Sequence, residues 1–259
     1  MKKIMVILGV LLIVAAGYSI KNKDLKEKEV GIFNESSVDI MKDYEDIIIK
    51  KGNQEQKVVA LTFDDGPDEV YTPQILDILK KYDVKATFFL VGENIERNAD
   101  IVAREVEEGH EIGNHTYTHI NVSKRGYNEI YNEIIKTQDA IKKITGEEPK
   151  LFRPPYRAIS KNMCDIIKSK KMNIVLWSNL DPRDWSNPGV YYIVNTIDTK
   201  VENGNIILLH DYNKVRASKS QTIQALDTII PKLKEKGYKF VTVSQLINHL
   251  DKKEHETQN

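Results

Sequence analysis

The sequence predicts an α/β fold, a distorted or partial (β/α) barrel with the active site at the C-terminal ends of its strands. Short apolar runs alternate with amphipathic stretches from residue 57 to 250, the pattern of repeated βα units around a parallel sheet. Asp64-Asp65, His115, Arg153, Asp181 and His210 each follow an apolar run, where such folds keep their chemistry. The chain of 259 residues, 41% hydrophobic, is long enough to bury one large core and carries no repeat of solenoid period.

Lys2 and Lys3 precede an uncharged run that ends at Ile20, so residues 1–20 read as a membrane anchor or a signal peptide. The run amounts to about 25 Å of helix, slightly short of a bilayer core of about 30 Å. The positive-inside tendency places the remainder outside the cell. The expected location is the cell membrane with an extracellular catalytic domain, or the exterior if the segment is cut. Residues 21–45, mixed in charge and without a period, read as a polar stem. Residues 46–250 read as the catalytic domain and 251–259 as a polar tail.

Within the domain, the apolar stretches 47–49 and 58–61 around Gly52-Asn53 read as a hairpin. Residues 58–63 then suit a buried parallel strand. Thr72-Pro73 reads as a helix cap with an N1 proline, ahead of Ile75, Leu76 and Leu79 at helical spacing. Strand 86–91 follows, then a helix from Asp100 stopped by Gly109, and a short strand 110–114. Tyr127, Ile130, Ile134 and Ile141 mark a long helix ending at Gly146. After a brief strand at Leu151-Phe152 come helix 160–170, strand 173–177, helix 188–201 and the apolar strand 206–209. Helix 222–236, kinked at Pro231, strand 239–243 and helix 244–250 close the pattern.

Lys and Arg number 38 against 38 Asp and Glu, which argues against a nucleic-acid partner held by bulk charge. The single cysteine, Cys164, sits among Met163, Ile166 and Ile167 and reads as core, with no disulfide to make. Trp177 also reads as core. A monomer is expected.

Five motifs carry chemistry. In Thr62-Phe63-Asp64-Asp65-Gly66-Pro67, neighbouring carboxylates in extended chain point apart, so one can bind a metal while the other accepts a proton; an Asx-turn would use the same letters. His115 and His119, spaced i and i+4, would share one face of a helical turn. With one aspartate they make a two-His-one-carboxylate set, which suits hydrolytic zinc and also non-haem iron. His110 reads as structural. Arg153-Pro154-Pro155-Tyr156 fixes a backbone that can aim the Tyr156 N–H at an oxyanion, with Arg153 forked onto Asp64. Asp181 to Trp185 and Leu208-Leu209-His210 complete the series. A carboxylate beside His210 would make it a general acid, and Trp185 with Leu208 would wall a small methyl group.

In this order, the five motifs resemble the polysaccharide deacetylase family, carbohydrate esterase family 4, over about residues 57–250. The resemblance implies a distorted (β/α) barrel and metal-dependent removal of N-acetyl groups from an acetylated polysaccharide. Peptidoglycan N-acetylglucosamine or a chitin-like glycan is the expected substrate. It implies Asp64 as general base, with Asp65, His115 and His119 as ligands of a divalent metal, most often Zn2+. Arg153 would orient the base and Asp184 would tune His210 as general acid. The Tyr156 N–H would bind the oxyanion, and Trp185 and Leu208 the acetyl methyl. Arg157 stands where the family commonly has glycine, adding bulk and charge beside the oxyanion loop. Rival readings are an O-acetyl esterase acting on xylan, a catalytically silent glycan-binding module and an Fe(II) oxygenase.

Overall fold

In the computed structural model, which describes residues 35–214 and 216–248, the chain opens with helix α1 (Glu35–Asp43) and strand β1 (Ile48–Ile49). Then follow β2 (Val58–Asp64), α2 (Tyr71–Lys81), β3 (Thr87–Leu90), α3 (Gly92–Arg97), α4 (Ala99–Glu107), β4 (Glu111–Asn114) and the long α5 (Tyr127–Thr145). The remainder is β5 (Leu151–Phe152), α6 (Lys161–Ser169), β6 (Asn173–Val175), α7 (Val190–Lys200), β7 (Ile206–His210), α8 (Gln221–Glu235) and β8 (Lys239–Phe240). The anchor or signal segment 1–20, residues 21–34 of the predicted stem, the end of the last predicted helix and the tail 251–259 lie outside the described residues. Among those described, no helix is long and apolar enough to cross a membrane.

The strands form one sheet in the order β1-β6-β5-β4-β3-β2-β7, with β8 on the first half of β2, and every pairing is parallel. The segment after β6 reaches the opposite edge through two backbone bonds, Ser178 N–H to Ile206 O and Leu208 N–H to Leu180 O, at 3.2 and 3.3 Å, with Ile206 N–H also donating to Ser178 Oγ at 3.1 Å. That thin seam makes the barrel partial, as the βα alternation predicts.

Side-chain alternation sorts the interior. Val59, Leu61 and Phe63 of β2 pack outward under α2 and α8, while Val58 and Ala60 join Phe89, Leu151, Val175 and Ile206 inside. With a period of two, Thr62 and Asp64 continue the inward row, as do Arg153 after Leu151 and His210 after Ile206. Polar groups therefore collect at one end of an apolar interior. Each fully buried aliphatic or aromatic side chain there contributes about 1.5–3 kcal/mol, so the barrel can hold several of them in place.

Three local expectations give way to tertiary contacts. No hairpin joins β1 to β2: β1 pairs parallel with β6, Ile48 opposite Ile174, and Gly52 N–H donates to Gly204 O at 2.8 Å. Pairing with β6 also packs Ile48 onto the cluster of Phe152, Ile174 and Leu176, apolar contact that a hairpin would forgo. The end of the predicted stem is helical, and Ile40 and Met41 of α1 pack on that same cluster. Thr72 does not cap α2. The Val70 and Tyr71 N–H groups donate to Asp68 Oδ1, at 2.9 and 3.0 Å, and Thr72 lies inside the helix. Cys164 is buried as expected, and burial pushes its thiol up to about 12.

Candidate active site

Asp64 ends β2, with Phe89 of β3 and His210 of β7 as its register partners. Its Oδ1 accepts from Arg153 Nη1 at 2.7 Å, and the same nitrogen donates to Thr62 Oγ1 at 2.8 Å. Arg153 is fully buried; its Nε donates to Val175 O at 3.2 Å and its guanidinium lies 4.1 Å over the Phe89 ring. The forked contact predicted from sequence is absent. Thr62, the inward residue before Asp64, takes the second place on Nη1 and leaves Nη2 without a hydrogen bond. Asp64 Oδ2 is left facing the cleft, 3.8 Å from His115 Nε2.

Asp65 follows at φ 77°, in the left-handed region. This turn, rather than strand alternation, separates the two carboxylates, and both lie near His115. Asp65 Oδ1 is 3.4 Å from His115 Nε2 and 3.1 Å from His119 Nε2. The histidines reach it from a loop after β4, not from a helical turn. Thr116 and His119 adopt φ 66° and 55°, and α5 clamps the loop: Glu133 Oε2 accepts the Tyr117 and Thr118 N–H groups at 2.9 and 2.8 Å. The outer imidazole nitrogens are held as well, His115 Nδ1 by Arg153 O at 2.7 Å and His119 Nδ1 by the Tyr156 hydroxyl at 3.0 Å. From α3, Asn94 Nδ2 donates to Asp65 O at 2.8 Å.

This set fits a divalent ion. Ligand atoms of Asp65, His115 and His119 lie within 4.8 Å of one another. Asp65 Oδ1 is buried yet accepts no well-aligned hydrogen bond. Burial opposes its charge, but the two imidazoles and His210 hold the carboxyl well below its ordinary range. Holding the outer nitrogens fixes the Nε2 atoms toward the centre, as metal-ligating histidines require. His110 stays apart, accepting the Ala86 N–H at 3.2 Å and packing edge-on to Phe88.

Opposite, Asp184 is fully buried and grips His210 twice, Oδ1 with Nδ1 and Oδ2 with the backbone N–H, both at 2.8 Å. Thr222 Oγ1 of α8 donates to Oδ2 at 2.6 Å. Burial alone would discharge the imidazolium, but Asp184 first, then Asp65 and Asp64, raise His210 to about 10.

A cleft of about 1110 Å3 is lined by Asp64, Asp65, His115, His119 and His210, with Leu208, Trp185 and Tyr156 on its walls. Tyr156 and Arg157 both sit left-handed, at φ 60° and 56°. Arg157 and Ala158 donate their N–H groups back to Pro154 and Pro155, so the Tyr156 N–H is the donor this turn does not use. Trp177, expected in the core, is half-buried and lines the cleft, because it continues the inward row of Val175. Sequence reasoning missed the partners that depend on topology: Thr62, Thr222, Glu133 and the Tyr156 hydroxyl.

Known proteins resemble the chain in both sequence and fold. The polysaccharide deacetylase sequence profile matches residues 51–175. A peptidoglycan-N-acetylglucosamine deacetylase of Bacillus cereus is 45% identical over 195 residues, spanning 75% of this chain and 90% of the relative. A solved peptidoglycan N-acetylglucosamine deacetylase superposes with a TM-score of 0.76 at 40% identity, covering 82% of this chain and 97% of that one. A family 4 pseudoenzyme from Bacillus anthracis also superposes, with a TM-score of 0.70 at 35% identity, over 77% of this chain and 68% of that one. By sequence and by fold, the chain belongs to the polysaccharide deacetylase family, carbohydrate esterase family 4.

Proposed function

We propose that the protein hydrolyses the N-acetyl groups of N-acetylglucosamine in peptidoglycan, at the outer face of the cell membrane or beyond it. The carrying observation is that Asp64, the cluster of Asp65, His115 and His119, and the Asp184-bonded His210 line one cleft. The Bacillus cereus relative, matched over nine-tenths of its length, supports the substrate. Lys2, Lys3 and the uncharged run to Ile20 support export.

Asp65, His115 and His119 would hold the ion, and Zn2+ suits their two-nitrogen, one-oxygen donor set. The chemistry such an ion supplies is polarisation of the amide carbonyl and acidification of a water toward a pKa of about 7. Asp64 Oδ2 accepts the proton of the attacking water, while Arg153, bonded to Oδ1 at 2.7 Å, fixes its direction. The Tyr156 N–H donates to the oxygen on which negative charge develops. His210, kept as imidazolium by Asp184, gives its Nε2 proton to the departing sugar nitrogen, and acetate and a free amine result. Leu208 and Trp185 enclose the acetyl methyl. A silent binding module has no use for the His210–Asp184 pair, and an iron oxygenase has no use for a general acid there.

Acetate release from purified peptidoglycan, chitin oligomers and acetylated xylan tests this. Peptidoglycan should be the best substrate, with one free amine formed per acetate. Faster release from acetylated xylan without new amines would replace the proposal with an O-acetyl esterase.

A further inference from the structure

The cleft continues beyond Trp177. A second hollow of about 590 Å3 adjoins it, and Arg157, Trp177 and Asn179 line both. The hollow is strongly cationic. Lys50, Lys51 and Lys200 line it together with Arg157, and its one lining carboxylate, Glu202, is paired with Lys51 at 2.6 Å. On the cleft side the acid that Arg157 senses is Asp181, whose Oδ1 accepts the Arg183 N–H at 2.8 Å.

Arg157 stands at the junction. Its guanidinium lies 4.9 Å over the Trp177 ring, and its Nη1 donates to Trp177 O at 3.3 Å, so the cation is fixed rather than swinging in solvent. Its backbone, at φ 56°, is one that an arginine adopts only at a cost. Backbone strain beside a reaction centre, on a residue whose side chain closes a cationic hollow, is a reason to look for a ligand. A planar guanidinium with nearby ammonium groups matches a carboxylate.

We infer that this hollow is a subsite for a carboxylate carried on the glycan next to the sugar being deacetylated. The inference rests on the peptidoglycan reading above, because in that polymer the neighbouring sugar bears a carboxyl-terminated substituent, whereas chitin offers none. The subsite therefore selects an acidic glycan over a neutral one, and it acts on affinity rather than on the bond-breaking step.

The test measures binding, not turnover. Soluble, phosphate-free peptidoglycan oligomers are prepared with carboxylates free or amidated, and the Kd of each for the full chain is measured at about 0.05 and 0.5 M salt. The free acid should bind about tenfold more tightly at low salt, with the margin shrinking at high salt. Arg157→Gly, which suits φ 56° and so should fold, and Lys200→Ala should each cut the margin at least about threefold. Equal affinity for both forms in the unmodified protein would overturn the inference, as would a margin that survives both substitutions together. A protein that shows the margin but releases no acetate would support the subsite and sink the proposed activity, so the two failures are distinguishable.

Discussion

Replacing Asp184 with asparagine removes one negative charge and leaves almost every atom in place. Both carboxylate oxygens hold His210, and Thr222 fixes the second of them. Against burial, Asp184, Asp65 and Asp64 raise the imidazole from 6.5 to about 10, roughly 5 kcal/mol of preference for the charged ring. A cation held by Asp65 offsets the share owed to Asp65 and Asp64, so Asp184 is the source that persists during turnover. Without it the ring should titrate near or below its ordinary value, and His210 becomes largely neutral above about pH 7. A lost general acid lowers kcat by about 10²–10⁴. The alkaline limb of the kcat profile, set by loss of the His210 proton, should move at least about one pH unit toward acid. Acetate release in the unmodified protein and in Asp184→Asn, followed from about pH 5 to 10, reads both effects. A kcat within about threefold of the unmodified protein, or a drop with the alkaline limb unmoved, would refute the assignment of His210 as an acid charged by Asp184.

Asp64→Asn should keep the bound metal and lose most turnover, whereas His119→Ala should lose both; metal analysis beside acetate release separates them, and equal metal loss in the two would remove the division of roles. Arg153→Met leaves a buried Asp64 carboxylate without its cation and should cost about 3–5 kcal/mol of unfolding free energy, read by denaturant titration. His110 is held neutral by burial, its pKa lowered from 6.5 to about 4. The unfolded chain thus takes up a proton at higher pH than the folded one, and the unfolding free energy should fall as pH drops from 6.5 to 4, by roughly 3 kcal/mol. His110→Gln should flatten that slope in a pH series of denaturant melts.

The strand-end residues were legible in the sequence because strands alternate. Once 58–63, 151–152 and 206–209 read as strands, Asp64, Arg153 and His210 stand at their inward ends. The same alternation carries Trp177 into the cleft, but whether its strand sits at the rim or deep in the sheet is a tertiary fact, so composition alone favoured the core. The structure brings His115 and His119 together, as their spacing suggested, but by a different geometry. A helical turn and a left-handed loop both bring i and i+4 together, and the choice lies in Glu133, which is far along the chain. Likewise, Gly52-Asn53 is a good local turn, and it loses to the parallel pairing of β1 with β6. What failed to show were partners that meet only after the barrel closes, such as Thr222 on Asp184 and the Tyr156 hydroxyl on His119.

The central claim is that Asp65, His115 and His119 hold one divalent ion on which acetamide hydrolysis depends. Metal content and acetate release, measured on the same chelated samples as zinc is restored, test it most directly. Turnover should rise in proportion to bound metal and level off at about one ion per chain. Full acetate release from samples stripped of metal would contradict it.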